Sequence, residues 1–252
     1  ENMSAHFELT DETIHYEGRT LHRIRATRDL PIHDVKAGDL GGYVEHLGNL
    51  SGNAWVADDA RVFDYAVVYG NARVTDNARV SGEAEVYDNA RVTDNAWVYG
   101  NAEVFENAEV SGNARVEGNS TVEYEARVTD DVWVTGNARV TGNARVSGYV
   151  LVVGKAMLTD NAYVSGNVCV SGNAGVDGNA RVIGTAWVFG NARVSGNALV
   201  SGNAMIFGMA NVSGNAHVCD NAWVSERADV FGDALVSGET WLKNNAVIRS
   251  TD

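Results

Sequence analysis

Histidine is the side chain that most often serves as a general base, and only one of six histidines lies in the regular part of this 252-residue chain. That residue, His217, has Leu199 and Leu235 at the equivalent positions of the preceding and following repeats. A general base needs a partner that orients its ring, and no carboxylate occupies these positions. We therefore predict no catalytic residue: His217 is the only candidate, and an exposed polar role suits it better. A single histidine also excludes a three-histidine zinc site.

Aspartates recur at multiples of one fixed interval and form a second candidate for chemistry. They are Asp58, Asp76, Asp94 and Asp130. Carboxylates stacked about 4.8 Å apart could bind calcium. Aspartate is also a common turn residue, and arginines in the "RVTD" units could neutralise the row. These arginines are Arg73, Arg91 and Arg127. We therefore predict an acidic face with structural ion pairs, and no metal or cofactor.

The elements that position these side chains follow from a period of six residues. From Val44 to Ile248 every sixth residue is aliphatic, which makes 35 positions, 30 of them valine. Two residues earlier, from position 54 to 246, alanine occupies 28 of 33 positions. Gly-Asn or Asp-Asn commonly precedes the alanine, and these residues accept the left-handed backbone of a sharp bend. The pattern predicts short strands around inward valines, with no inserted loop and no internal ligand cavity.

A second, longer period groups these strands in threes. "RVTD" occurs at residues 73–76, 91–94 and 127–130, at intervals of 18 and 36. Three strands per 18-residue coil predict a triangular, all-β parallel helix of about eleven to twelve coils. We expect it to run without a break from about residue 42 to the end of the chain.

The repeated "V-x-G-N-A-x" resembles the hexapeptide repeat of left-handed parallel β-helix proteins, a superfamily that includes bacterial lipid A and serine acetyltransferases. The segment "DVKAGDLGGYV" at residues 34–44 is similar to the entry segment of uncharacterised bacterial and phage proteins labelled acyltransferases. The resemblance implies a left-handed coil and suggests acyl transfer at a site between subunits. The chain lacks the loop and the placed histidine that such an enzyme is expected to use.

Residues 1–40 differ in composition from the repeats and contain the single proline, Pro31. The segment at residues 13–26 reads as a β-hairpin that turns at Glu17-Gly18. We expect segment 1–40 to cap the first coil of a repeat domain at 41–252, because open strand edges and apolar side chains need cover. No comparable segment follows Ile248, so the last coil is expected to be bare.

Composition excludes several functional classes. The net charge is −14, and residues 51–136 hold 16 acidic and 6 basic residues, so no basic stripe for nucleic acid is present. No apolar run reaches the roughly 18 residues of a membrane span. The two cysteines, Cys169 and Cys219, fall almost three coils apart, beyond the roughly 7 Å reach of a disulfide. We expect free thiols and a cytoplasmic location.

Tryptophans provide the main evidence about function. Five of the six are separated by multiples of the coil period, and the positions beside them are also apolar. The predicted interface comprises Trp97, Trp133, Trp187, Phe189, Met205, Phe207, Trp223 and Trp241. A contiguous apolar stripe of this length is expected to be buried in an assembly. A homo-oligomer is the leading partner, with a trimer favoured by the resemblance and a dimer as the alternative.

We therefore predict a rigid, non-catalytic scaffold that associates with itself. Two alternatives are open. One is an acidic decoy of bacterial or phage origin that occupies a basic groove of a host protein, since charge steers association toward basic partners. The other is an acyltransferase whose site lies between subunits.

Overall fold

Short parallel strands recur every six residues through most of this computed structural model, which describes residues 5–250. Their order gives an all-β parallel solenoid of about 12 turns of about 18 residues, with almost no helix. This confirms the predicted three-strand coil and its uninterrupted register. The described residues contain no helix that is long and apolar enough to span a membrane.

Packing divides the chain into two compact units, Glu1–Tyr124 and Glu125–Asp252. The division that we predicted at residue 40 therefore falls inside the first unit. The strands of the first unit are β1 (Phe7–Tyr16), β2 (Arg19–Ala26), β3 (Leu40–Val44), β4 (Trp55–Val56), β5 (Arg61–Val62), β6 (Val67–Val68), β7 (Arg73–Val74), β8 (Arg79–Val80), β9 (Glu85–Val86), β10 (Arg91–Val92), β11 (Trp97–Val98), β12 (Glu103–Val104), β13 (Glu109–Val110), β14 (Arg115–Val116) and β15 (Thr121–Val122).

Each coil strand of the first unit pairs with the strand three positions later, which lies in the next coil. This pairing produces three sheets. Their orders are β1-β2-β3-β5-β8-β11-β14, β4-β7-β10-β13 and β6-β9-β12-β15. The coiled strands are parallel, whereas β1–β2 and β2–β3 are antiparallel. Strands β1 and β2 turn at Glu17 and Gly18, which both have positive φ. Two 3-10 helices, Pro31–His33 and Leu47–Asn49, complete the segment that leads into the coils.

The second unit consists of coils alone. Its strands are β16 (Arg127–Val128), β17 (Trp133–Val134), β18 (Arg139–Val140), β19 (Arg145–Gly148), β20 (Leu151–Val152), β21 (Met157–Leu158), β22 (Tyr163–Gly166), β23 (Cys169–Val170), β24 (Gly175–Val176), β25 (Arg181–Val182), β26 (Trp187–Val188), β27 (Arg193–Val194), β28 (Leu199–Val200), β29 (Met205–Ile206), β30 (Asn211–Val212), β31 (His217–Val218), β32 (Trp223–Val224), β33 (Asp229–Phe231), β34 (Leu235–Val236), β35 (Trp241–Leu242) and β36 (Val247–Arg249). The sheet orders are β17-β20-β23-β26-β29-β32-β35, β16-β19-β22-β25-β28-β31-β34 and β18-β21-β24-β27-β30-β33-β36.

The core of each coil contains the predicted residues. The inward aliphatic residues from Val44 to Val236 and the alanines two positions earlier are buried, whereas Leu242 and Ile248 are only half-buried. Backbone hydrogen bonds run from one coil to the next, so the Trp187 N–H donates to the Ala204 carbonyl at 3.0 Å. Because each strand contributes one inward residue, the residue before it and the residue after it point outward. The outer surface of each sheet is therefore two side-chain rows wide.

The beginning of the first coil is closed by side chains. In later coils the carbonyls accept hydrogen bonds from the preceding coil, as the Ala72 carbonyl does from the Trp55 N–H at 3.0 Å. The buried His6 ring takes the place of such a donor, since its Nε2 lies 2.8 Å from the Ala54 carbonyl oxygen. The buried His33 ring adds a bond to the neighbouring Asn53 carbonyl, also at 2.8 Å. Segment 5–40 therefore provides hydrogen bonds to two backbone carbonyls of the first coil.

Candidate functional site

One sheet of the second unit carries an unbroken row of apolar side chains on its outer surface. The residue before the inward aliphatic is in register from strand to strand through seven coils. The row consists of Trp133, Leu151, Cys169, Trp187, Met205, Trp223 and Trp241. The parallel row after the aliphatic adds Val153, Phe189 and Phe207. We name these ten residues the aromatic face.

The rings of the aromatic face pack on one another and remain open to solvent. Phe189 and Phe207 stack with centroids 5.0 Å apart, and Trp223 and Trp241 meet edge to face at 5.6 Å. Trp133, Trp187, Trp223 and Trp241 are nevertheless 40 to 53 % exposed. Stacking within the chain, an alternative explanation for such a stripe, therefore accounts for part of the aromatic surface and leaves the rest uncovered.

Charge is nearly absent from this surface. Its two rows contain one charged residue, Lys243, whose ammonium group lies 4.8 Å from the centre of the Trp241 ring. The corresponding row of the second sheet in the same unit contains Arg127, Arg145 and Arg181. That of the third sheet contains Arg139, Arg193 and Asp229. Depletion of charge inside a polar rim is typical of the buried core of a protein interface.

Trp97 lies in the first unit and is largely covered there. The Arg79 guanidinium lies 4.4 Å from the centre of its ring, Tyr99 packs at 4.3 Å, and its Nε1 donates to the Ser81 hydroxyl at 3.0 Å. The same row of the first unit contains three arginines, so no apolar stripe exists there. These are Arg61, Arg79 and Arg115. Trp97 therefore differs in its surroundings from the other residues of the predicted interface.

Backbone N–H groups bond to the carboxylates of the predicted acidic row, where we expected arginines. Asp58, Asp76, Asp94 and Asp130 have φ of 55 to 61°, the left-handed conformation of the corners. Their carboxylates accept backbone N–H groups of the next coil, as in the 2.9 Å bond from Gly112 N–H to Asp94. No ion pair joins Asp58, Asp76 or Asp94 to Arg73 or Arg91 within residues 5–250, so our expectation of such pairs is wrong for these five residues. The same residues contain no cluster of three or more acids, cysteines or histidines that could bind a metal.

His217 has the neighbours that its spacing predicts. It is in register with Leu199 and Leu235, and its Nε2 lies 3.0 Å from the Ser201 hydroxyl. We did not predict this serine contact. Trp97 with Ser81, and Trp241 with Ser225, make the same contact between adjacent coils, so it is a recurring feature of the repeat. Among residues 5–250 no carboxylate bonds to the His217 ring. The Ser201–His217 contact therefore resembles a structural hydrogen bond more closely than the contact between a catalytic nucleophile and its base.

A second aromatic ladder stabilises the first unit and was also missed. The rings of Tyr69, Tyr87 and Phe105 stack at centroid distances of 4.7 Å. The Tyr69 hydroxyl donates to Glu85 at 3.0 Å, and that of Tyr87 donates to Glu103 at 3.2 Å. Burial, with these carboxylates, raises the pKa of Tyr69 to about 12 and also raises that of Tyr87. The recurrence of the three rings at the coil period is the signal that could have identified the ladder.

Comparison with known proteins agrees with this architecture. Four segments match the model of the YdcK beta solenoid repeat: residues 66–82, 84–100, 108–124 and 186–202. A search of curated proteins gives no match. Each matched segment covers nearly one coil, and the last contains Trp187 and Phe189 of the aromatic face. The similarity to this repeat, together with the parallel coils, identifies the chain as a β-solenoid repeat protein.

Proposed function

We propose that this chain is a non-catalytic solenoid scaffold that associates with further copies of itself through the aromatic face. The observation that carries the proposal is the unbroken apolar row from Trp133 to Trp241, seven coils long and without an acidic residue. The other two sheets of the second unit interrupt the equivalent row with charge, so the arrangement is specific to one surface.

The exposed area supports a protein interface. If a free tryptophan exposes roughly 250 Å², the four exposed tryptophans alone leave about 460 Å² of mostly apolar surface in water. The half-buried neighbours, such as Leu151 and Met205, add to it. An exposed apolar patch on a monomer is usually no larger than a few hundred Å² and is often functional. A stable dimer buries about 800 Å² per partner, so the proposed interface includes the rim as well as the aromatic face.

The rim of the face is suited to define register between copies. Polar side chains border the row at the preceding corner, among them Asn203 and Asn221, and Tyr149 is 69 % exposed beside them. Tyrosine and tryptophan frequently dominate binding energy at interfaces. We propose copies that lie side by side along the coils, as a trimer in the arrangement favoured by the hexapeptide resemblance or as a dimer.

Sedimentation velocity tests the proposal with a matched pair of double variants. Trp187→Glu/Trp223→Glu places two charges in the centre of the aromatic face and is expected to dissociate the oligomer. Met157→Glu/Leu235→Glu places two charges on exposed apolar residues of the other two sheets and is expected to leave the oligomer intact. A wild type that is monomeric at about 50 μM, or equal effects of both variants, would contradict the proposal.

The acidic first unit supports the decoy as a second candidate. Residues 51–136 carry 16 acids and 6 bases, and the carboxylates of Asp58, Asp76 and Asp94 are exposed at one corner. Such a surface attracts basic proteins, but part of each carboxylate is already occupied by a backbone N–H. Binding to a basic partner that is lost between low and high salt, and abolished by Asp76→Asn/Asp94→Asn, would favour the decoy.

Acyl transfer is addressed by calorimetric titration with acetyl-CoA. A scaffold without a site is expected to give no saturable binding at micromolar concentrations. Micromolar binding that is abolished by His217→Ala would support the enzyme instead. Ser201→Ala is the useful companion variant, because it removes the serine hydroxyl that bonds to the His217 ring.

A further inference from the structure

A groove of about 550 Å³ lies in the first unit and is lined by residues of the 3-10 helix Pro31–His33 and of the coils that contain strands β7 and β10. Residues of two successive coils line most of it, together with Asp58 of the coil before them and with Ile32 and His33 of the 3-10 helix. The lining residues are Ile32, His33, Asp58, Asn71, Arg73, Thr75, Asp76, Asn89, Arg91 and Thr93. The volume lies within the range typical of small-ligand sites.

Two arginines in the floor of the groove face the same space without a partner for their charge. Arg73 and Arg91 are in register on neighbouring strands. Like charges directly opposite each other in a sheet are destabilising. Within residues 5–250 neither guanidinium makes an ion pair or a side-chain hydrogen bond. Glu109 follows Arg91 in the ladder but does not line the groove.

The other like-charge pairs of the first unit are compensated by neighbouring side chains. Arg61 lies 4.5 Å from the centre of the Tyr16 ring, and Arg79 lies over Trp97 and donates to the Tyr16 hydroxyl at 2.9 Å. The other pair, Glu85 and Glu103, accepts hydrogen bonds from the hydroxyls of the tyrosine ladder. By contrast, the guanidiniums of Arg73 and Arg91 line the groove without an aromatic ring or a hydroxyl from the described residues to compensate them. An external anion can compensate their charge there.

The rest of the groove is suited to hydroxyl groups. The Thr75 and Thr93 hydroxyls donate to the aspartate that follows each of them and can still accept from a ligand. Asn71 and Asn89 belong to a ladder of amide hydrogen bonds, and each retains one N–H beside the arginines. These side chains donate and accept the hydrogen bonds that a polyol forms. The carboxylate of Asp76 accepts from the Thr75 hydroxyl at 2.7 Å and can accept from a ligand hydroxyl at its other oxygen.

The two aspartates also limit how much negative charge the groove can accept. Asp58 and Asp76 line one side, so a polyanion such as a nucleic acid would meet repulsion there. On each strand the arginine lies between an asparagine and a threonine, so a ligand can place one oxyanionic group at the arginines and its hydroxyls beside them. Guanidinium groups bind carboxylate and phosphate through paired hydrogen bonds.

We propose that this groove binds a sugar that carries one oxyanionic group. The oxyanion lies between Arg73 and Arg91, and the sugar hydroxyls contact the threonines, the asparagines and Asp76. Ile32, which is 57 % exposed at the end of the groove, covers the apolar side of the ring. This site lies within the first unit and does not depend on self-association through the aromatic face.

Isothermal titration with glucuronate, glucose 6-phosphate, glucose and inorganic phosphate tests the proposal. We expect at least one of the two charged sugars to bind in the micromolar to low millimolar range, at least about tenfold more tightly than glucose or phosphate alone. Preference for glucuronate or for glucose 6-phosphate then identifies a carboxylate or a phosphate as the oxyanion.

The variant Arg73→Gln/Arg91→Gln removes both cations from the groove, and Arg145→Gln/Arg227→Gln removes two exposed cations from the second unit as the control. We expect the first to weaken binding of the charged sugar at least about tenfold and the control to leave it unchanged. Thermal melting of both variants verifies that they fold. No saturable binding of either charged sugar below about 10 mM, phosphate binding as tightly as the sugars, or equal effects of the two variants would overturn the proposal.

Discussion

At the scale of the residue, each corner of the coil needs a residue that accepts a left-handed backbone conformation. Asp94 has φ of 58° and Gly112, one coil later, has φ of 68°, so an aspartate and a glycine fill equivalent positions. Glycine adopts this conformation without cost, and aspartate tolerates it. The aspartate also accepts the Gly112 N–H at 2.9 Å. Sequence reasoning correctly identified these residues as turn formers, but assigned their charge to the wrong partners.

Substitutions at Asp94 should therefore follow backbone conformation. We expect Asp94→Gly to change the free energy of unfolding by less than about 1 kcal/mol, because relief of the left-handed backbone strain offsets the lost hydrogen bond. Asp94→Val should lose about 2 kcal/mol, because a β-branched side chain is strained at positive φ. Urea unfolding of the three proteins measures both values. Equal losses for glycine and valine would show that charge, and not conformation, governs the corner.

We expect stability to depend on pH through the two histidines that bond to the first coil. Burial lowers the pKa of His6 and of His33 below the ordinary value of 6.5, and nearby Arg28 and Arg73, respectively, act in the same direction. The carbonyl partners can only accept, so Nε2 carries a proton in the neutral ring. A depressed pKa in the folded state stabilises the protein above the unfolded pKa. This contribution is lost as pH falls below about 6.5 toward the folded pKa.

The variant His6→Gln/His33→Gln tests this dependence, because glutamine retains an N–H donor and does not titrate. We expect the wild type to lose more stability than the variant between about pH 7.5 and pH 5. Urea unfolding across that range gives the comparison, and the remaining histidines are common to both proteins. Parallel pH profiles would mean that neither ring contributes as a neutral donor.

At the scale of the coil, each strand contributes little surface and depends on its neighbours above and below. The two nested periods predicted the parallel coils of three strands, because an inward valine and a small residue at the corner are needed at every strand. Val140 is one such residue and is fully buried. Met157 lies in the outward row of the neighbouring strand in the same sheet and is 44 % exposed.

A charge in the core of one coil should destabilise the whole unit. Val140→Asp is expected to lower the free energy of unfolding by about 3 kcal/mol or more, since the buried carboxylate has no partner. Met157→Asp adds the same charge on the surface and should change stability by less than about 0.5 kcal/mol. Thermal or urea unfolding distinguishes them. A Val140→Asp protein as stable as Met157→Asp would contradict the assignment of the core.

At the scale of the whole molecule, the sequence predicted which sheet each outward residue belongs to. It did not predict which side chains surround that residue. The spacing placed Trp97 with the other tryptophans, yet Arg79 and Tyr99 cover it in the first unit. Likewise the period gave His217 its leucine neighbours and did not reveal Ser201, because that contact depends on side-chain direction across coils. The groove at Arg73 depends on how residues 31–33 fold back, for which the sequence offers no periodic signal.

The two free cysteines provide the most direct test of self-association, because Cys169 lies in the aromatic face and Cys219 lies on another sheet. Both are half-buried, and burial raises the pKa of each thiol, so each rate is compared with its own value at low protein concentration. The measurement is the rate at which each is alkylated as protein concentration rises from about 1 to 100 μM. We predict that Cys169 becomes protected while Cys219 does not. Unchanged rates at both sites, or protection of Cys219 instead, would contradict burial of the aromatic face between copies.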